Sequence, residues 1–153
     1  IKINRGHSFN DAVIALEKTA RLGVHTGAHF IFGLPGETRE YMLSEADIIS
    51  SLPLTTVKFH QLQIIKGTIM EQQYLANPSD FQLFTLEEYL EFIVSFIERL
   101  SPSIVVERFT GEAPPRMLNE LLWGKKRTDQ LVSLLEKRLQ IKDTWQGRLY
   151  KRG

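Results

Sequence analysis

Apolar positions first fall into a helical rhythm over residues 8–22, where Ala12, Leu16 and Ala20 lie four apart with Ile14, Ala15 and Leu22 beside them. Ser8 or Asn10 can cap the start and Gly23 can close the end, so the pattern predicts a helix. A strand is expected next over 24–32, ending at Gly33, and helical spacing resumes over 38–51. Residues 55–65 give a second strand, 68–75 a short helix, and Asn77-Pro78-Ser79-Asp80 a turn. Thr85 and Glu88 form a Ser/Thr-x-x-Glu capping box ahead of an amphipathic stretch that runs through Leu100. A strand over 101–109, a helix entered at Pro114-Pro115 and running to Trp123, and a last helix over 128–139 complete the series.

Helices and strands that alternate in this way predict an α/β fold with a parallel sheet and crossover helices. Only three strands are present, and a parallel sheet that small leaves unpaired backbone at both edges. The chain also opens at Ile1, without a methionine. Partner strands in a preceding segment of a longer protein are therefore expected, and the exposed surface makes a homodimer of this piece plausible.

Strand periodicity sorts the side chains into faces. Phe30 and Phe32 share one face of the first strand, which the helices should cover, while His29, Ile31 and Gly33 share the other. In the second strand Val57 and Phe59 alternate with Lys58, His60 and Leu62. Glu107 and Arg108 end the third strand's apolar run. Polar groups thus collect on one face or at the strand tips, where parallel α/β proteins bind ligands, and His29, Lys58, His60 and Arg108 are the candidate ligand face. His25 and His29 are too far apart on a strand, about 13 Å, to chelate one metal ion, and no metal site is assigned.

The stretch Gly33-Leu34-Pro35-Gly36-Glu37-Thr38 joins a strand to a helix. Its glycines allow a sharp turn and close backbone approach, and Glu37 can offer its carboxylate to the free amides of the helix start. It is not a phosphate loop, since neither GxxxxGK[ST] nor GxGxxG is present. Physics alone leaves open whether the turn is structural or holds a ligand.

Charge and cysteine content narrow the classes. There is no cysteine, so disulfides, thiolate metal sites and a cysteine nucleophile are excluded within these residues. Net charge is +1, yet residues 114–153 hold 10 Lys/Arg against 4 Asp/Glu, which makes the C-terminal third basic. Such a patch suits a polyanion or is simply a solvated helix face. No apolar run reaches the roughly 20 residues of a membrane helix and no signal-peptide layout opens the chain, so a soluble, cytoplasmic protein is expected.

Ile3-Asn4-Arg5-Gly6-His7, a helix, and then GAHFIFGLPGET at 27–38 together resemble the second half of radical S-adenosylmethionine (SAM) enzymes. The branch is the one containing oxygen-independent coproporphyrinogen oxidases and the Elongator catalytic subunit. VKFHQLQIIKGTIM, RFTGEAPP and TWQGRLY look more narrowly like the YhcC/YtqA-type group. The resemblance implies the C-terminal half of a partial (β/α)6 barrel over 1–113, with 114–153 as a basic helical extension packed on it. It also implies a parent enzyme whose preceding half binds a 4Fe-4S cluster through CxxxCxxC cysteines and cleaves SAM reductively to generate a radical. Without cysteines, this piece alone is expected to be inactive.

Carried over by position, Arg5 matches an arginine that contacts SAM, and His29 stands where relatives place a polar ribose contact. Gly33, Gly36 and Glu37 match the motif near the adenine, and the backbone of Gln61, Leu62 and Gln63 corresponds to a further adenine contact. Lys58, His60 and Arg108 remain candidates for the substrate side. Trp123, Trp145 and Tyr150 among Lys and Arg could hold RNA by phosphate contacts and stacking, and the resemblance to the Elongator subunit makes tRNA a conceivable substrate or partner. The alternative is a non-catalytic α/β module that binds a nucleotide or a partner chain.

Overall fold

The computed structural model describes residues 6–111, 113–118, 123 and 127–151. Helix α1 spans Phe9–Arg21, strand β1 Gly27–Phe32, α2 Arg39–Ser51, β2 Thr56–Gln61, α3 Ile69–Ala76, α4 Leu86–Ile97, β3 Val105–Arg108 and α5 Thr128–Ile141. The strands form one parallel sheet in the order β1-β2-β3. This is the expected α/β alternation.

Local chemistry sets the boundaries. Ser8 and Asp11 close a capping box on α1, the Ser8 amide donating to the Asp11 carboxylate at 2.8 Å. Thr85 and Glu88 do the same for α4, again at 2.8 Å. β1 begins later than its apolar run suggests. The Thr26 carbonyl accepts from the amides of Thr55 and Thr56, and the β1–β2 ladder starts just beyond it. The second strand stops at Gln61, four residues short of expectation, because Ile65 instead makes an isolated antiparallel bridge to Leu118.

That bridge also corrects the helix expected after Pro114. Pro115–Met117 forms a single 3-10 turn, and Leu118 is extended to meet Ile65, so local helical spacing yields to a tertiary pairing. Residues 119–122 of that expected helix lie outside the described residues.

The core is built on one face of the sheet. Phe32 and Phe59 are fully buried and meet Phe92 and Phe96 of α4, with ring centroids 4.9 Å apart for Phe32–Phe92 and Phe32–Phe96 and 5.1 Å for Phe59–Phe96. Each such side chain contributes about 1.5–3 kcal/mol by burial, and the edge-to-face pairs add to that. Met42, Ala46 and Ile49 of α2 and Leu131 and Leu135 of α5 complete the cluster. The Tyr89 hydroxyl donates to the Phe109 carbonyl and so ties α4 to the end of β3.

Residues 144–150 fold back as a clasp. The Gly147 and Leu149 amides donate to the Ile97 and Glu98 carbonyls at 2.9 and 2.7 Å, and the Gln146 amide group donates to the Ser101 and Ile104 carbonyls. Gly147 has φ +81°, and a Cβ there would stand 2.8 Å from Pro102 Cδ, so both conformation and space call for glycine.

α1 is the exception. It is amphipathic but buries none of its residues. Its Ala12, Leu16 and Thr19 line a cleft of about 860 Å³ shared with Ala28 and Phe30 of β1 and Glu45 of α2. The β1 edge opposite β2 pairs with no strand among the described residues. Burial in this cleft, with the Glu37 carboxylate nearby as the lesser cause, pushes the Glu45 carboxyl up from 4.5 to about 7.

Two outcomes test this account. Phe32→Ala is expected to cost about 3–5 kcal/mol in urea unfolding, because it removes the ring that joins β1 to α4. Glu45 binds its proton more tightly in the folded chain, so its contribution is fully present below about pH 4.5 and is lost as pH rises through about 7. Between about pH 5 and about pH 8 the unfolding midpoint of the wild type should therefore fall relative to that of Glu45→Gln; parallel curves for the two would refute the assignment.

Candidate functional site

The helix-covered face of the sheet leaves its opposite face to the polar residues. His29 pairs in register with Lys58 and Lys58 with Arg108, so three strands carry these residues in one row, and His60 follows opposite Ile31. The register slips between Val57 and Lys58, a bulge that brings both Glu107 and Arg108 against Lys58. The four candidates of the ligand face are thus brought together.

The row is electrostatically uneven. Lys58 Nζ lies 3.0 Å from the Glu107 carboxylate. Hydrogen bonds from Thr56 and Lys58 hold the Glu107 carboxyl below its ordinary range. The His29 and His60 rings stack with centroids 5.5 Å apart. Burial, and after it the neighbouring His29, Arg108 and Lys58, lowers the basicity of His60. His60 Nε2 is buried with no hydrogen-bond partner among the described residues.

Sequence reasoning missed the residues that hold His60. Gly111 packs so closely that a Cβ would fall 2.5 Å from His60 Nδ1. Gln61 fixes that loop: its Oε1 accepts from the Thr110 hydroxyl at 2.7 Å and the Gly111 amide at 3.2 Å, and its Nε2 donates to the Gly111 carbonyl at 3.2 Å. The Gln61 side chain is therefore engaged within the fold. The usable signal was the RFTGE stretch itself, whose glycine follows a strand.

The GLPGET turn is also satisfied from within. Glu37 Oε2 accepts from the Gly33 and Leu34 amides at 3.2 and 2.9 Å, the Gly36 amide donates to the Asp80 carbonyl at 2.8 Å, and the Glu37 amide to the Leu34 carbonyl at 3.0 Å. Thr38, not Glu37, caps α2, its hydroxyl accepting from the Tyr41 amide. The carboxylate expected at the helix start turns back to the strand exit. Gly33 and Gly36 have φ +91° and +81°, which explains the two glycines.

Other candidates are dispersed. Arg5 lies outside the described residues. The Leu62 amide donates to the Phe32 carbonyl at 2.8 Å while its side chain lines the cleft below α1, and Gln63 is half-buried just beyond. In the basic C-terminal region, Arg138 pairs with Glu87 and Glu91 at 2.6 and 2.8 Å, Lys142 with Glu91, and Arg148 with Glu98 at 2.7 Å. Trp123 donates to the Phe84 carbonyl at 2.8 Å and packs on Tyr89, Tyr150 is half-buried, and Trp145 is exposed. No described helix is long and apolar enough to cross a membrane.

Comparison with known proteins accounts for this arrangement. The family model of the Radical_SAM C-terminal domain matches residues 54–140, more than half of the chain. YtqA of Bacillus subtilis (strain 168) is 29% identical over 150 residues, which are 98% of this chain and 46% of that protein. MJ0486 of Methanocaldococcus jannaschii is 30% identical over 140 residues, 89% of this chain and 43% of that protein. The chain thus spans less than half the length of these curated relatives. Among solved structures, archaeal Methanocaldococcus infernus Elp3 with an N-terminal deletion (1–46) shares the fold at a TM-score of 0.77 and 21% identity, over 94% of this chain and 33% of that one. Fold, motifs and family match agree: the chain belongs to the Radical_SAM C-terminal domain family.

Proposed function

We propose that this chain is the C-terminal part of a radical SAM enzyme and that the open face of β1–β3 forms part of the wall around SAM and substrate. The observation that carries the reading is the polar row His29, Lys58 and Arg108, with His60 beside it, on the uncovered face of a sheet from this family. The free edge of β1 beneath α1 suits a strand from a preceding segment of the parent protein, which would cover the exposed apolar side of α1.

The iron-sulfur cluster does not fit these residues. The chain has no cysteine, and no group of three His, Asp or Glu among the described residues could hold a metal ion. Its ligands belong elsewhere in the parent.

SAM does fit the open face. The exposed His29 imidazole would offer a donor or acceptor to ribose hydroxyls, and the strand exits at Gly33 and Leu62 would hold the base. When bound and given one electron by the parent's cluster, SAM would supply an organic radical for hydrogen abstraction. The part left to this chain is to bind, orient and shield it. The GLPGET turn contributes rigidity, since its amides are already paired. Arg138, Lys142 and Arg148 are engaged by Glu87, Glu91 and Glu98, which weighs against tRNA as the ligand of the basic C-terminal region.

The test uses the full parent protein, reconstituted anaerobically with iron and sulfide and supplied with SAM and a strong reductant. Formation of 5′-deoxyadenosine is expected, and His29→Ala should weaken SAM binding about tenfold, the loss of one hydrogen bond. A parent that takes up no cluster and leaves SAM intact would overturn the proposal and favour a non-catalytic nucleotide- or partner-binding module.

A further inference from the structure

We propose that Arg108, Lys58 and His60 form an oxyanion site that receives a phosphate or carboxylate group carried by the substrate. The inference rests on reading the open face as the substrate wall, and it adds the chemical class of what that wall recognises.

Three strands deliver cationic or ionisable nitrogen groups to one place: His29 from β1, Lys58 and His60 from β2, and Arg108 from β3. Glu107 is the anion set against them, and its carboxylate is already engaged by Thr56 and Lys58. Arg108 is exposed and forms no ion pair among the described residues. A guanidinium with its fork free is suited to two parallel hydrogen bonds to an oxyanion.

His60 supplies the second, independent observation. Its Nε2 is withdrawn from water without a partner among the described residues, which is costly unless something completes it. The ring is fixed in that position by Gly111, which packs on Nδ1, while Gln61 holds the Gly111 loop. A hydrogen-bond acceptor of negative charge completes Nε2 in its protonated form and relieves the crowding by His29, Lys58 and Arg108. A metal cation suits the place poorly, because Lys58 and Arg108 would repel it.

Charge linkage gives a direction. Burial and the surrounding His29, Lys58 and Arg108 disfavour the His60 imidazolium, with the paired Glu107 carboxylate the one opposing charge described there. A bound oxyanion favours the imidazolium. Binding should therefore tighten as pH falls through the His60 titration and weaken as pH rises.

The experiment follows the imidazole signals of all four histidines by NMR while inorganic phosphate is added to the chain at low ionic strength. Saturable shifts at His60 and His29, with His60 becoming more basic, are expected, while His7 and His25 stay still. Arg108→Gln should weaken phosphate binding about tenfold or more, and Arg116→Gln should leave it unchanged. Gly111→Ala, checked for folding by circular dichroism, should displace the His60 signal and abolish its response. Equal small shifts at every histidine, or a response indifferent to Arg108→Gln, would overturn the site. Displacement of phosphate by free methionine would assign the place to the amino-acid end of SAM and overturn the substrate assignment. SAM cleavage by the parent is read separately: cleavage without phosphate binding defeats this inference alone, and phosphate binding without cleavage defeats the proposed function alone.

Discussion

The packing of Phe32 and Phe59 against Phe92 and Phe96 is the constraint on which the rest depends. Once these rings are buried beneath α4, strand geometry leaves their neighbours no choice of side. His29 and Ile31 must face away from the core on β1, and Lys58 and His60 must do so on β2. A slip of one residue would put His29 of β1, or Lys58 and His60 of β2, under the helices without partners, at a cost far above any gain in ladder hydrogen bonds. The hydrophobic core therefore specifies the polar face.

Much of this was legible because it is local or strictly periodic. The cap at Ser8, the capping box at Thr85, the alternation through Phe30 and Phe32, and the pairing of helices with strands depend on near neighbours, and each agrees with the structure. The helix drawn after Pro114 fails for the opposite reason. Leu118 is recruited by Ile65, some fifty residues earlier, and no spacing rule reports such a bridge. Glu37 shows a subtler limit. Its position at a helix start is clear from sequence, but whether the carboxylate turns forward to the helix or back to Gly33 and Leu34 depends on a turn geometry set by two left-handed glycines.

The motifs that carry the family resemblance divide accordingly. GLPGET is a turn whose amides are consumed internally and anchored to Asp80, and Arg39 beside it stacks on Phe84 and donates to the Leu83 carbonyl. TWQGRLY is a clasp over the end of α4 and the approach to β3, with Gly147 seated against Pro102. Within RFTGE, Arg108 stands in the site itself, while Thr110 and Gly111 position it, since Gln61 holds Thr110 and Gly111 and Gly111 packs on His60. Three recognisable stretches thus act by fixing backbone around a site whose own side chains, His29, Lys58, His60 and Arg108, stand on strands.

The distribution of paired charge separates the two sides of the molecule. On the helical side, Arg138, Lys142 and Arg148 meet Glu87, Glu91 and Glu98, so three of the C-terminal cations are neutralised where the region packs on α4 and its end. Exposed pairs of this kind add little to stability individually, but they remove cations from any surface field. On the strand side Glu107 is engaged by Thr56 and Lys58, and Arg108 and two imidazoles stand beside it. Composition alone pointed to the C-terminal third as the basic surface. Arg108 and the two imidazoles add a second positive surface on the open face of the sheet, where a ligand rather than a neighbouring helix can neutralise it.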